Sequence, residues 1–291
     1  SSVIEKSYEM LEYDEFIEPT IINKGGVVES KDGIIVANFR PDRLTQLFSA
    51  ITNPSFDAFK TKKLDDIKVV TMMDVDSSII CTNAFSKVSL ENTLGEVLQK
   101  NKYRVLRIAE IIKFPHVTHF FDGDRDITLK KTKKICIPRK EVETYDLYPK
   151  MSARNVTDYI IKHLTKYDFI VVNYANGDMV GHTGNLKAAI LAMEEVDSCL
   201  GDLFNKAKKC KYTMIITADH GNCEEMLDEN DNVLTTHTTN PVNFIFCNKR
   251  CSMSNGSLED IAPSILNYLD INVPKEMTGN IIVNDDIIGK L

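Results

Sequence analysis

Five residues of metal-binding type stand in three short stretches of this chain. The run NYANGDMVGHTG from Asn173 to Gly184 carries Asp178 and His182, TADHGN from Thr217 to Asn222 carries Asp219 and His220, and His237 heads HTTNP. The first two stretches follow apolar, β-branched-rich runs that read as buried strands, and the third reads as a turn into another strand. Imidazole and carboxylate together suit borderline and hard divalent ions such as Mn, Zn or Fe. Two such ions held close together commonly serve phosphoryl chemistry.

The spacing gives each candidate its own logic and its own bland alternative. Asp178 and His182 are four apart, so on a helical turn both side chains project to one side. Taken alone they could equally be a capping Asp and an incidental His, but Gly177, Gly181 and Gly184 favour a tight ligand loop over a structural helix. Asp219 and His220 are adjacent, and a regular strand would send them to opposite faces. They converge only if the backbone leaves strand geometry, which Gly221-Asn222 permits; the alternative is a polar strand end without metal. Arg40 and Arg43, in NFRPDR, lie at the start of a helix expected from Pro41. Two guanidinium forks there suit a phosphate or carboxylate, although ordinary surface pairing with Asp42 or Glu15 would also account for them. His116 and His119 are read as facing opposite ways in a strand, and Lys130 to Lys134 (KKTKK) as a solvated loop.

The elements that position these groups follow from periodicity. Arg104–Ile108, Val117–Phe121, Asp168–Tyr174, Tyr212–Thr217 and Val242–Cys247 read as strands. Ala153–Leu164, Leu186–Cys210 and Leu258–Leu269 read as helices. This alternation predicts an α/β domain with a mainly parallel sheet flanked by helices, and ligands in such sheets gather where strands end. The first 85 or so residues differ. They hold turn signals at Gly25-Gly26 and Lys31-Asp32-Gly33, a helix with Leu44, Leu47, Phe48 and Ile51 at i, i+3, i+4, i+7, and a strand over Val69–Met73. Asn83 to Ser89 reads as a crossing between domains, giving 1–88 and 89–291.

Composition sets the bounds. The chain has 291 residues, 43% hydrophobic and 26% charged, with a net charge of −7. That balance is ordinary for a globular protein and argues against a nucleic-acid surface, which needs a basic face. No apolar run approaches a membrane span, and the N-terminus has no signal-peptide pattern. Seven scattered cysteines with no CxxC pair fit a reducing, cytoplasmic setting.

Together the motifs resemble the cofactor-independent (2,3-bisphosphoglycerate-independent) phosphoglycerate mutases of the alkaline phosphatase superfamily. The match takes in NFRPDR at 38–43, LRIAEIIKFPHVTHFFDG at 106–123, TYDLYPKMSA at 144–153 and NYANGDMVGHTGN at 173–185. It continues through TADHGNCEEM at 217–226, HTTNPVNFI at 237–245, LEDIAPSIL at 258–266 and MTG at 277–279. The resemblance implies that Asp178, His182 and His237 hold one metal ion and that Asp219 and His220 hold a second. It implies that Arg40, Arg43 and Lys113 grip phosphoglycerate. It further implies interconversion of 3-phosphoglycerate and 2-phosphoglycerate through a phosphoserine intermediate, with two divalent ions (Mn first, with Zn, Mg and Co as alternatives) and no requirement for 2,3-bisphosphoglycerate. The complete enzyme would be a monomer.

Three departures stand out. Glu110-Ile111-Ile112-Lys113-Phe114 replaces the family's ETEKY, and Asp122-Gly123-Asp124 replaces its Asn-Gly-Gly. The family's N-terminal strand with a DGxG-type Asp ligand, and its nucleophilic Ser segment, are absent. The expectation is therefore an alkaline-phosphatase-like metal-binding domain at 89–291, lacking its N-terminal segment, preceded by the C-terminal part of a second α/β phosphotransferase domain at 1–88. The missing N-terminal segment of the same enzyme becomes an expected partner, and the chain alone is expected to be inactive. Rival readings are another phosphomutase of the superfamily, such as a phosphopentomutase, a phosphohydrolase, or a non-catalytic remnant.

Overall fold

The computed structural model describes residues 2–12, 16–41, 44–85, 89–247 and 251–284. The chain divides into two compact units, Ser1–Val88 and Ser89–Leu291.

The smaller unit holds helix α1 (Ser2–Glu9), strand β1 (Gly33–Val36), helix α2 (Thr45–Thr52) and strands β2 (Lys68–Thr71) and β3 (Thr82–Asn83). Its strands are parallel in the order β1-β2-β3. Leu44, Phe48 and Ile51 pack with Val36, Val69 and Ile79 in its core. Leu47, expected on the same face, is exposed. The helix also begins later than Pro41: the Leu44 N–H donates to the Pro41 carbonyl at 3.0 Å in a turn that precedes α2.

The larger unit contains helix α3 (Leu94–Lys100), strand β4 (Val105–Glu110), helix α4 (Phe114–Val117), strand β5 (Thr132–Ile137) and helix α5 (Ala153–His163). After these come strand β6 (Phe169–Asn173), helices α6 (Asn176–Gly181) and α7 (Leu186–Lys209), and strands β7 (Met214–Ile216), β8 (Ile245–Cys247) and β9 (Ser252–Met253). Helix α8 (Ile261–Tyr268) and strand β10 (Val283–Asn284) complete it. A parallel sheet runs in the order β5-β4-β6. All six residues of the central β4 are buried, as expected where helices cover both faces of a parallel strand. Successive side chains alternate faces. Leu106 and Ile108 pack with Val156 and Ile160 of α5 and Leu203 of α7, while Val105 packs with Leu94, Val97 and Leu98 of α3 and Ile265 and Leu266 of α8. β7 and β8 form an antiparallel pair, as do β9 and β10. Among the described residues no helix is long and apolar enough to cross a membrane.

Two further expectations fail in the larger unit. Val117–Phe121 is not a strand: α4 is followed by a 3₁₀ turn at Phe120–Asp122. Pro115 stands in the first turn of α4, where its missing N–H costs nothing. The Thr118 hydroxyl donates back to the Phe114 carbonyl at 2.8 Å, and Gly123 ends the turn in left-handed geometry, φ 72°. The lysine run is likewise not all loop, since Thr132, Lys133 and Lys134 open β5. β5 is the outer strand of this sheet, and of its two lysines Lys133 is exposed while Lys134 reaches in to Asp122.

Arg107 of β4 is fully buried on the α3 side, and its Nη1 lies 2.8 Å from Oδ2 of Asp122, also fully buried. The Phe121 ring lies 4.9 Å from Arg107 Cζ, and the Lys134 ammonium is 3.4 Å from Asp122 Oδ2. Gly95 in α3 has no room for a Cβ, which would overlap the guanidinium. Removing one partner of such a pair strands an interior charge. Asp122→Ala should therefore lower unfolding free energy by about 3–5 kcal/mol, measured by denaturant titration. A loss below ~1 kcal/mol would mean that water reaches Arg107 and carries its charge.

Candidate metal centre

Three strand ends of the larger unit deliver the candidate residues to one place. β4 runs out into the 3₁₀ turn Ile111–Lys113, which presents Lys113. β6 lies parallel beside β4, with Ala109 opposite Asn173, and leads into α6, which presents Asp178 with His182 as its C-terminal cap. β7 ends at Ile216, so Asp219 and His220 lie beyond strand geometry, as their convergence requires. His237 is brought back by an antiparallel bridge between Gly221 and Thr238, in which the Thr238 N–H donates to the Gly221 carbonyl at 3.0 Å.

Asp178 is the hub. Its Oδ1 lies 3.1 Å from His182 Nε2, 3.0 Å from His237 Nε2 and 4.0 Å from His220 Nε2. Asn222 Nδ2 donates to the same oxygen at 3.1 Å, and Lys113 Nζ meets Oδ2 at 2.5 Å. Burial raises the Asp178 pKa, but hydrogen bonds from His182 and Lys113 outweigh it and hold the carboxyl well below the usual range. His237 is pushed down by burial and by the neighbouring His220. Their rings stack at 3.6 Å between centroids.

The donor set fits a divalent cation. His182 Nδ1 lies 2.6 Å from the Thr235 carbonyl; a carbonyl can only accept, so Nδ1 carries a hydrogen, and the neutral ring presents its Nε2 lone pair to a cation. Fixing the outer nitrogen on a carbonyl is how ligating histidines are commonly oriented. His182 Nε2 faces His237 Nε2 at 3.2 Å and the Asp178 carboxylate, so neutral rings with their hydrogens on Nδ1 converge with the carboxylate as acceptors for a cation. Asp178, His220 and His237 offer ligand atoms all within 4.8 Å of one another. Asp219 approaches from outside, with Oδ2 3.6 Å from His220 Nε2 and its side chain 57% exposed.

The remaining candidates lie elsewhere. Arg40 is exposed, in the smaller unit, with its N–H donating to Asn38 Oδ1 at 2.7 Å. Arg43, with Asp42 beside it, lies outside the described residues. His116 was set aside as a strand residue, but α4 turns it toward the centre's charges. Burial first, then the Lys113 charge, lower its pKa, and Asp219, Asp178 and His220 also act on it.

Sequence reasoning missed Asn222, whose amide spans to Asp178, and Thr235, which sets the His182 tautomer. Gly181 was a signal for the first. It closes α6, and a Cβ there would overlap the Asn222 amide, so the glycine marks a close approach. The flanking glycines do not prevent a helix, since Asn176–Gly181 is one.

Comparison with known proteins agrees with this geometry. A profile of the metalloenzyme superfamily matches residues 38–273. A 2,3-bisphosphoglycerate-independent phosphoglycerate mutase of Francisella tularensis subsp. tularensis is 45% identical over 290 residues, covering 97% of this chain and 57% of the relative. The same-named protein of onion yellows phytoplasma is 44% identical over 282 residues, covering 93% and 55%. A phosphoglycerate mutase of Leishmania mexicana, solved at low cobalt concentration, superposes with a TM-score of 0.71 at 27% identity, covering 94% of this chain and 53% of that one. The chain thus spans a little over half the length of the curated relatives it matches. A metal-suited carboxylate–imidazole cluster beyond the ends of β6 and β7, together with a family match over most of the sequence, makes this chain a member of the metalloenzyme superfamily, similar along its length to the 2,3-bisphosphoglycerate-independent phosphoglycerate mutases.

Proposed function

We propose that this chain supplies the metal-holding part of an enzyme that interconverts 3-phosphoglycerate and 2-phosphoglycerate by way of a phosphoserine. The observation that carries the reading is the convergence on Asp178 of His182, His237 and Lys113 within 3.1 Å, in a chain 45% identical to a curated mutase. In this reading 89–291 is the metal-binding phosphatase-like domain and 1–88 belongs to a phosphotransferase domain. Asp178, His182 and His237 hold one ion, and Asp219 and His220 hold a second. The ions, with Mn the first choice, would neutralise phosphoryl oxygens and activate the serine.

The chain's own residues then have separate tasks. Asp178 gathers the imidazoles and, through Oδ2, anchors Lys113. Lys113, its side chain only 12% exposed beside that carboxylate, offers its remaining ammonium hydrogens to a phosphate or carboxylate of the substrate. Arg40 and Arg43 would grip the same small anion with planar forks. The odd, scattered cysteines support a cytoplasmic setting, and the complete enzyme is proposed to be a monomer.

The test is conversion of 3-phosphoglycerate to 2-phosphoglycerate by the full-length protein. Chelation should abolish turnover and added Mn should restore it; turnover that survives exhaustive chelation, or release of inorganic phosphate in place of isomerisation, would overturn the reading. Asp178→Asn should lose bound metal, measured by elemental analysis, by removing the charge that collects the ligands.

A second expectation separates substrate grip from metal binding. Arg43→Lys should reduce kcat/KM by about tenfold or more with metal content unchanged, because one ammonium replaces a bidentate fork. Kinetics equal to the parent would assign Arg43 to the surface.

A further inference from the structure

Beyond the ligands themselves, one side chain holds two of the ligand-bearing loops in register. Glu224 follows His220 by four residues, and its carboxylate is shared among three donors. Oε2 accepts the Asn222 N–H at 2.6 Å. Oε1 accepts the Thr238 hydroxyl and, at 3.2 Å, the Asn240 amide. The first donor lies two residues beyond His220, and the second lies directly after His237. Both loops therefore end on one carboxylate, next to the single backbone bond between Thr238 and Gly221. Gly221 is required there, because a Cβ would overlap both Glu224 Oε1 and Thr238 Oγ1.

Glu224 stands outside the group whose ligand atoms converge, Asp178, His220 and His237. We propose that Glu224 is a positioning residue of the metal centre, clamping the loop of His220 to the loop of His237 so that their imidazoles meet at Asp178. The Asn222 N–H held by Glu224 and the Asn222 amide held by Asp178 Oδ1 extend the clamp to α6. The inference rests on the reading of Asp178, His182, His220 and His237 as metal ligands. It adds that their mutual placement depends on a carboxylate that touches none of them.

Co(II) titration of the 291-residue chain tests it, read by visible d–d absorption and dissociation constant, with the unfolding midpoint of the metal-free proteins followed in parallel. Glu224→Gln places an NH2 group against N–H or O–H donors and should weaken Co(II) binding by about tenfold, at the lower end of what lost outer partners cost a metal site, and alter the band intensities. Thr238→Val removes one arm of the clamp at nearly equal volume and should weaken binding less, in the same direction. The double variant should bind no more weakly than Glu224→Gln, since both break one tie. Parental affinity and spectrum in a folded Glu224→Gln would overturn the inference while leaving the metal centre standing. Should Glu224→Gln fail to fold, Thr238→Val decides, and parental Co(II) affinity there overturns it. A parent chain with no saturable Co(II) signal would overturn the metal centre itself, and the clamp with it.

Discussion

The arrangement depends on the charge of Asp178. A carboxylate withdrawn from water disfavours its ionised form unless nearby donors offset the loss of solvation. Here the partners are His182, one helical turn away at the end of α6, and three groups from segments far apart in sequence: Lys113 beyond β4, Asn222 beyond β7 and His237 from the returning loop. The ties draw these groups together beyond the ends of β4 and β6. The parallel pairing of β4 and β6 makes this possible, because parallel strands end on the same side and adjacent exits are one strand spacing apart. The site is thus a consequence of topology fixed by one anion.

That anion also explains why the imidazoles crowd together. The Nε2 atoms of His182 and His237, 3.2 Å apart, would repel as two lone pairs if left without a hydrogen or cation between them. A divalent ion relieves that contact and balances the carboxylate at once, which is the physical content of a metal site. Deprotonated carboxylate and neutral imidazole are the forms that bind. The lowered pKa values of Asp178 and His237 favour those forms.

Much of this was legible from residue types and spacing. Asp178 and His182 at i, i+4, and the need for Asp219–His220 to leave a strand, follow from backbone geometry alone. The long α7 and the apolar strands β6 and β7 have a strong enough pattern to be read directly. Val117–Phe121 was misread because a short apolar run fits either period, and the local chemistry of Pro115, Thr118 and Gly123 decides for turns. β5 escaped because TKKICI puts lysines where an edge strand tolerates them. Thr235, Asn222 and Glu224 were not legible as partners at all. Their roles arise from where loops pass in space, and no periodicity encodes a loop path.

The departures from the family pattern near Lys113 have a physical account in the interior. Asp122, standing where the family has Asn, is the counter-ion of the buried Arg107 on β4, the strand that ends in Lys113's turn. An amide oxygen could accept from a guanidinium but could not balance its charge, whereas the Asp122 carboxylate does both for the Arg on the strand beside it. Ile112 packs against the cluster of Met151, Ala175 and Val180 under α6, and Ile111 is exposed. One apolar replacement thus adds to the packing that seats the Asp178 helix, and the other points to solvent. Neither displaces Lys113, whose ammonium still reaches Asp178. The changes alter how the strand and helix are supported while the tie between Lys113 and Asp178 is kept.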